Sequence, residues 1–161
     1  RALGLRVAAF DPYMERSPVE GVEMVKDFRA ILPETDFLCL HLPSTPETRD
    51  LIGAGELALL KRGAFVLNCA RGGIVDEDVL CDALESGHLG GAGLDVFAKE
   101  PPDTAHRLFR QEKVLLSPHN AALTEECAIR MATQAVQNVL DCLDGKLQPR
   151  VVMNRREIGM A

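Results

Sequence analysis

Several things are missing from this sequence of 161 residues. It has no run of lysine or arginine, and its net charge is −6. Both facts argue against nucleic acid or an anionic membrane surface as the main partner. No apolar stretch approaches the roughly 20 residues that span a bilayer, and the first residues do not read as a signal peptide. The five cysteines, Cys39, Cys69, Cys81, Cys127 and Cys142, include no C-x-x-C pair and are odd in number. A disulfide framework and a zinc site are therefore not expected, and a reducing cytoplasm is. Internal repeats and low-complexity segments are also lacking. What remains, 47% hydrophobic and 26% charged residues, is the composition of a globular protein long enough to bury one real core.

Short apolar runs rich in β-formers recur at residues 5–10, 37–42, 64–67, 92–96 and 114–116, each bounded by Gly, Pro or Asp. Most are apolar throughout rather than alternating, as strands buried on both faces of a parallel sheet must be. Between them lie helical patterns at 27–32, 55–61 and 76–86, with a longer one at 124–143. Asp76 and Thr124 stand at N-cap positions, acids fill the first turns behind them, and Gly87 and Gly145 stop the helices. Strand and helix alternate, so the expected fold class is α/β, a doubly wound parallel sheet.

In such sheets ligands bind beyond the carboxyl ends of the strands. Arg71, Glu100 and His119 stand in three different strand-end loops, which the topology can bring to one cleft. Arginine offers a planar, permanently charged fork for a carboxylate, and Gly72 and Gly73 beside it allow a ligand's close approach. Histidine can move a proton near neutral pH, and a neighbouring glutamate can fix its tautomer. Two prolines, Pro101 and Pro102, stiffen the loop that carries the glutamate. Asp11 ends the first strand, where a dinucleotide fold binds the adenosine ribose. Spacing alone leaves a plainer reading open for each. Asp11 is equally a turn-forming Asp-Pro, Arg71 a surface arginine in a glycine turn, Glu100 a solvated loop acid, and His119 a strand-end histidine bonded to backbone. His41, Cys69, His88 and His106 read as strand-end, core-edge, helix-end and loop residues.

The segments LHLPSTPETRDLIG, LLKRGAFVLNCARGGIVDEDVLCDALESGHLGGAGLDVFAKEPP and LLSPHNA add what spacing cannot. In this order, over residues 5 to about 154, they resemble the nucleotide-binding domain of the D-isomer-specific 2-hydroxyacid dehydrogenases, most closely the D-3-phosphoglycerate dehydrogenase branch. The resemblance implies a Rossmann-like domain and NAD-dependent hydride transfer between a D-2-hydroxy acid and its 2-oxo acid, in a homodimeric protein. It also implies roles. Arg71 binds the substrate carboxylate and polarises the carbonyl, His119 is the general acid/base, and Glu100 orients His119. Asp11 meets the adenosine ribose, Leu42, Pro43 and Thr48 line the cofactor cleft with Ala70, and Asp95 meets the nicotinamide carboxamide. No metal is implied. A non-catalytic NAD-sensing or corepressor module on the same fold is the alternative.

Three departures from the family pattern stand out. Ser44 replaces a leucine and Arg62 a proline, both peripheral, whereas Asn120 follows the histidine where an apolar residue is common and bears on the substrate pocket. The opening RALGLRVAAFDPY reads as the last turn of a helix, a stop at Gly4, and a strand. The glycine-rich loop of a dinucleotide fold belongs about 20 residues before Asp11, ahead of residue 1. The expectation is a piece of a longer protein, incomplete at the N-terminus. Residues 1–145 would be a partial nucleotide-binding domain, with 146–161 a tail returning toward a substrate domain. The sheet should then be interrupted beside residues 5–10.

Asp11 carries one prediction. A carboxylate accepts the ribose hydroxyls and repels a 2′-phosphate, so the full-length protein should prefer NADH to NADPH in steady-state kinetics, and comparable use of both would refute the assignment.

Overall fold

Residues 2–159 are the residues described by the computed structural model, and along them strands and helical segments alternate except that the first two strands follow one another directly. The strands are β1 (Val7–Ala9), β2 (Val22–Met24), β3 (Phe37–Leu40), β4 (Phe65–Asn68), β5 (Gly91–Leu94) and β6 (Val114–Leu116). The α-helices are α1 (Ala54–Leu59), α2 (Glu77–Glu85) and α3 (Glu125–Leu143). Every strand pair is parallel. The strands form two sheets, one of β1 and β2 and one in the order β3-β4-β5-β6. No strand pairing joins β1 or β2 to the four-stranded sheet among the described residues. Phe37 and Cys39 of β3 are exposed, although this strand reads as apolar enough to be covered.

The chain forms two compact units, Arg1–His119 and Asn120–Ala161. All six strands lie in the first. Its core joins Leu40 and Val66 from the sheet, Leu57, Leu80 and Leu84 from α1 and α2, and Leu32, Ile52, Ile74, Leu89 and Leu108 from the connections. Each such side chain contributes about 1.5–3 kcal/mol on burial. The second unit carries α3. Thr124 caps it, accepting the Cys127 N–H at 3.2 Å, and Glu125 and Glu126 suit its positive end. Gly145, at φ +70°, ends it.

Helix α2 shows why local sequence dictates local structure. The Asp76 carboxylate accepts the N–H groups of Asp78 and Val79 at 3.0 and 3.1 Å, and Leu80, Cys81 and Leu84 turn one face to the core. Gly87, at φ +67°, closes it. The pattern at 27–32 forms instead a 3-10 helix, Phe28–Glu34, capped by Asp27 and containing Pro33. A proline lacks the N–H and clashes with the preceding turn, so a longer α-helix cannot propagate there. Strand β2 has no counterpart in the sequence reading. Strands β3 and β5 end two residues earlier than expected, at Leu40 and Leu94.

The long connection 97–113 is stapled to α2 rather than loose. Glu77 Oε1 accepts the Ala98 N–H at 2.6 Å, and Gln111 Nε2 donates to Glu85 Oε1 at 2.7 Å. Arg107 pairs with Asp82 at 2.8 Å and lies within reach of Asp78 and Glu85, while its neighbour Leu108 is buried. Exposed ion pairs contribute little singly, so the plug of Leu108 and the shared arginine act together.

The tightest contact is backbone on backbone. A Cβ at Gly72 would lie 1.7 Å from the Phe97 carbonyl oxygen, so only glycine lets the loops after β4 and β5 meet. Gly72→Ala should therefore destabilise the fold by about 3 kcal/mol through overpacking against rigid main chain, read as a lowered midpoint in urea denaturation. An unchanged midpoint would show that the two loops do not touch.

Candidate functional site

The strands β5 and β6 run side by side, with Leu94 opposite Leu116, so the loops that leave them emerge as neighbours. That pairing brings Glu100 and His119 together. His119 Nδ1 lies 2.8 Å from Glu100 Oε2, and Glu100 Oε1 accepts the Phe97 N–H at 3.1 Å. Both carboxylate oxygens are thus engaged. The hydrogen bond with His119, seconded by the Phe97 N–H, holds the Glu100 carboxyl below the usual carboxylate range, against some desolvation and the negative charge of Asp95. His119 has a positive φ of 54°, a conformation that costs a non-glycine residue about 1–2 kcal/mol. With Nδ1 bound to the glutamate, Nε2 is the nitrogen left for other chemistry. The pair lines a concavity of about 360 Å³ walled by Phe97, Pro102, Phe109 and Leu116.

Arg71 enters from β4. Asn68, only 2% exposed at the end of that strand, shapes the turn. Its Nδ2 donates to the Arg71 carbonyl at 2.9 Å and its Oδ1 accepts the Ala70 N–H at 3.1 Å. Ala70 is buried and its carbonyl accepts Arg71 Nη1 at 2.6 Å, while the arginine itself is exposed. Through Gly72 this turn touches Phe97, whose N–H binds Glu100. The arginine loop and the Glu100–His119 pair are therefore parts of one assembly.

Asp95 is buried and accepts the Ser117 hydroxyl at 2.5 Å, and its N–H donates to the Asn68 carbonyl at 3.0 Å. Three strand ends are thereby tied together: β4 at Asn68, β5 at Asp95 and β6 at Ser117. Beyond β3, the Thr48 hydroxyl donates to the Pro43 carbonyl at 2.8 Å and accepts the Thr45 N–H at 2.7 Å, closing that loop on itself. Leu42 packs against the core. Asp11 stands on the other, two-stranded sheet, following β1, and its Oδ1 accepts the Tyr13 N–H at 2.8 Å. The turn-forming role and an available second oxygen thus coexist in one carboxylate. Asn68 and Ser117 were not given roles by sequence reasoning, and Glu77 was read only as an acid in the first turn of its helix. Their only signal was position, at strand ends or a helix start.

The acceptors fit two parts of a dinucleotide. Asp11 offers a carboxylate suited to ribose hydroxyls, and buried Asp95 offers one suited to an amide N–H. A pyrophosphate loop is a different matter. The single stretch matching G-x-G-x-x-A, residues 53–58, opens α1, but there Glu56 Oε2 accepts the Gly53 N–H at 3.2 Å. A carboxylate already sits at the helix start that a phosphate would need.

A parallel sheet with this set of groups at its strand ends defines an α/β nucleotide-binding domain of the Rossmann kind. Residues 1–121 match the family described as D-isomer specific 2-hydroxyacid dehydrogenase, NAD binding domain, and the chain belongs to that family. It is 39% identical over 154 residues to a D-3-phosphoglycerate dehydrogenase of Methanocaldococcus jannaschii, covering 94% of this chain and 29% of that protein. It is 43% identical over 153 residues to the D-3-phosphoglycerate dehydrogenase of Mycobacterium leprae, covering 94% and 29%. The chain thus spans less than a third of the length of these curated relatives. Among solved structures, the NAD-complexed D-isomer specific 2-hydroxyacid dehydrogenase of Lactobacillus delbrueckii ssp. bulgaricus superposes with a TM-score of 0.84 at 31% identity, over 95% of this chain and 50% of that one. The enzyme of Xanthobacter autotrophicus Py2 in complex with NADPH and MES gives 0.77 at 36%, over 95% and 63%.

The lowered pKa of Glu100 has a defined sign. It stabilises the folded state at pH values above the carboxyl's unfolded pKa, and that contribution disappears as the pH falls through the folded value. His119→Ala should move the Glu100 titration midpoint upward, toward the ordinary carboxylate value, in a carbon-13 NMR titration. An unmoved midpoint would mean that the two side chains are not paired in solution.

Proposed function

We propose that the polypeptide containing this chain is an NAD-dependent dehydrogenase that interconverts a D-2-hydroxy acid and its 2-oxo acid. The chain supplies the catalytic groups and much of the cofactor-binding domain. One observation carries this reading: the hydrogen bond of 2.8 Å between His119 and Glu100, built into the assembly that also holds the Arg71 turn. A nicotinamide cofactor held here would supply or take up the hydride, at the carbon that carries the hydroxyl in one acid and the carbonyl in the other.

The protein's own residues do the rest. In reduction, His119 gives a proton from Nε2 to the carbonyl oxygen, and in oxidation it takes the hydroxyl proton back. Glu100 holds Nδ1–H, which fixes the imidazole's tautomer and orientation and leaves Nε2 facing the substrate oxygen. The Arg71 fork holds the substrate carboxylate and polarises the adjacent carbonyl. Asp95 would accept from the carboxamide of the cofactor and Asp11 from its ribose, with Leu42, Pro43, Thr48 and Ala70 lining its path. Residues 1–145 belong to the nucleotide-binding domain and 146–161 lead back toward a substrate domain. A cytoplasmic homodimer is the proposed setting. No helix among the described residues is long and apolar enough to cross a membrane, and the proposed partner is a small-molecule 2-hydroxy or 2-oxo acid, with neither nucleic acid nor membrane.

The test is the intact protein with NADH and a panel of 2-oxo acids. His119→Ala should lower kcat by about 10²-fold or more, the scale of a lost general acid/base. Arg71→Lys should also be damaging, because an ammonium cannot make the bidentate contact. Unchanged turnover in both variants would remove the catalytic reading and leave a cofactor-binding module.

A further inference from the structure

Glu77 is the first residue of α2, where an acid suits the helix dipole without further explanation. Two observations say that it does something else. Asp76 already caps the helix by accepting the Asp78 and Val79 N–H groups, so the cap does not need Glu77. The Glu77 carboxylate reaches instead to the loop after β5 and accepts the Ala98 N–H at 2.6 Å.

That N–H belongs to a peptide unit that is contacted on its carbonyl side as well. The carbonyl of the same Phe97–Ala98 unit lies over Gly72, in the space where a Cβ would be. The N–H of Phe97 itself binds Glu100 Oε1, and Glu100 Oε2 binds His119 Nδ1. The Phe97–Ala98 unit is therefore held from both ends, by Glu77 at its N–H and by the Arg71 turn at its carbonyl. The residue that carries it anchors Glu100. Farther along, Arg107 and Gln111 tie the rest of the loop to α2, but they lie beyond Glu100 and cannot fix this peptide.

We infer that Glu77 is a positioning residue that sets the Glu100–His119 pair against the Arg71 turn by fixing the orientation of the Phe97–Ala98 peptide. This rests on the reading of His119 as the proton-transfer group. Without the acceptor at position 77, the peptide can rotate. Its carbonyl then leaves Gly72, the Phe97 N–H leaves Glu100, and the glutamate loses its register on the imidazole. Catalysis depends steeply on such register, since a misplacement of about 1 Å can cost about 10²-fold.

The experiment compares Glu77→Ala with Glu77→Gln in the intact protein, with two readouts. Gln keeps an oxygen that accepts the Ala98 N–H, and Ala does not. Steady-state kinetics with NADH and the best 2-oxo acid should show kcat lowered about 10-fold in Glu77→Ala, with KM for NADH unchanged and kcat largely restored in Glu77→Gln. A carbon-13 titration should show the Glu100 midpoint raised in Glu77→Ala and unmoved in Glu77→Gln. The groups that act on Glu100 are His119, Asp95 and the Phe97 N–H, none of which is altered directly by either substitution. Thermal melting checks that both variants are folded at the assay temperature. Equal kcat and an equal Glu100 midpoint in wild type and Glu77→Ala would overturn the inference, as would equal impairment of the Ala and Gln variants. If the wild-type protein reduces no 2-oxo acid, the dehydrogenase reading fails, while the Glu100 midpoint still decides whether Glu77 positions the pair.

Discussion

The Phe97 carbonyl oxygen occupies the space a side chain would need at Gly72, and the arrangement of the candidate site follows from that contact. A parallel sheet sends its carboxyl-end loops out from adjacent strands, but adjacency alone leaves several ångströms between them. Main chain meeting main chain closes that distance with no flexible side chain between. The Arg71 turn on one side and the Glu100 loop on the other are thereby set by backbone geometry, and the Glu77 carboxylate, accepting the Ala98 N–H, holds the contacting peptide from its other end. The buried hydrogen bonds then lock the arrangement. Asn68 shapes the arginine turn, its carbonyl binds Asp95, and Asp95 binds Ser117 at the strand end that leads into His119.

The division of the strands into two sheets has a consequence for the cofactor-binding face. The four-stranded sheet carries Thr48, Ala70, Asp95, Glu100 and His119 on the loops that follow β3 to β6, and the two-stranded sheet carries Asp11. Groups suited to the two ends of a dinucleotide thus sit on separate sheets of one compact unit. The described residues include no glycine loop suited to the pyrophosphate between them, because the stretch that matches the motif places Glu56 on its own helix start. This is why Asp11 and Asp95 support the NAD reading as chemistry rather than as a continuous groove.

The sequence made the fold class legible because its strands are short, apolar and punctuated. The β6 strand was bounded without error, and the caps of α2 and α3 stand at the expected Asp76 and Thr124. What it hid has physical causes. Strand β2 is the three residues Val22–Met24 with an acid in the middle, too short for either period to show. The helix expected at 27–32 is a 3-10 turn because Pro33 forbids an α-helical continuation. In the site, Glu100 and His119 were individually ambiguous; their strand-end placement suggested a pair, and the resemblance raised that reading above the plainer ones. Their contact depends on the β5–β6 register, which no window of sequence contains. Glu77 was read as a dipole-matching acid because its partner, the Ala98 N–H, lies 21 residues away across a loop.

The pair's exposure sets what this domain can do by itself. The His119 and Glu100 side chains are 48% and 37% exposed, and a polar contact so open to water contributes at most about 1 kcal/mol. The same contact strengthens severalfold when water is excluded and the local dielectric falls. One apolar side of such a wall is present in Phe97, Pro102, Phe109 and Leu116. In the proposed enzyme the opposing wall comes from outside the concavity, from substrate and cofactor and from the protein that closes over them. The two contributions are therefore separable in kind. The strand-end loops fix where the carboxylate, the imidazole and the guanidinium stand, at a cost met when the domain folds. The strength of the glutamate's hold on the imidazole is set later, by desolvation as the cleft fills, so the pair gains its full effect only when a substrate is there to receive the proton.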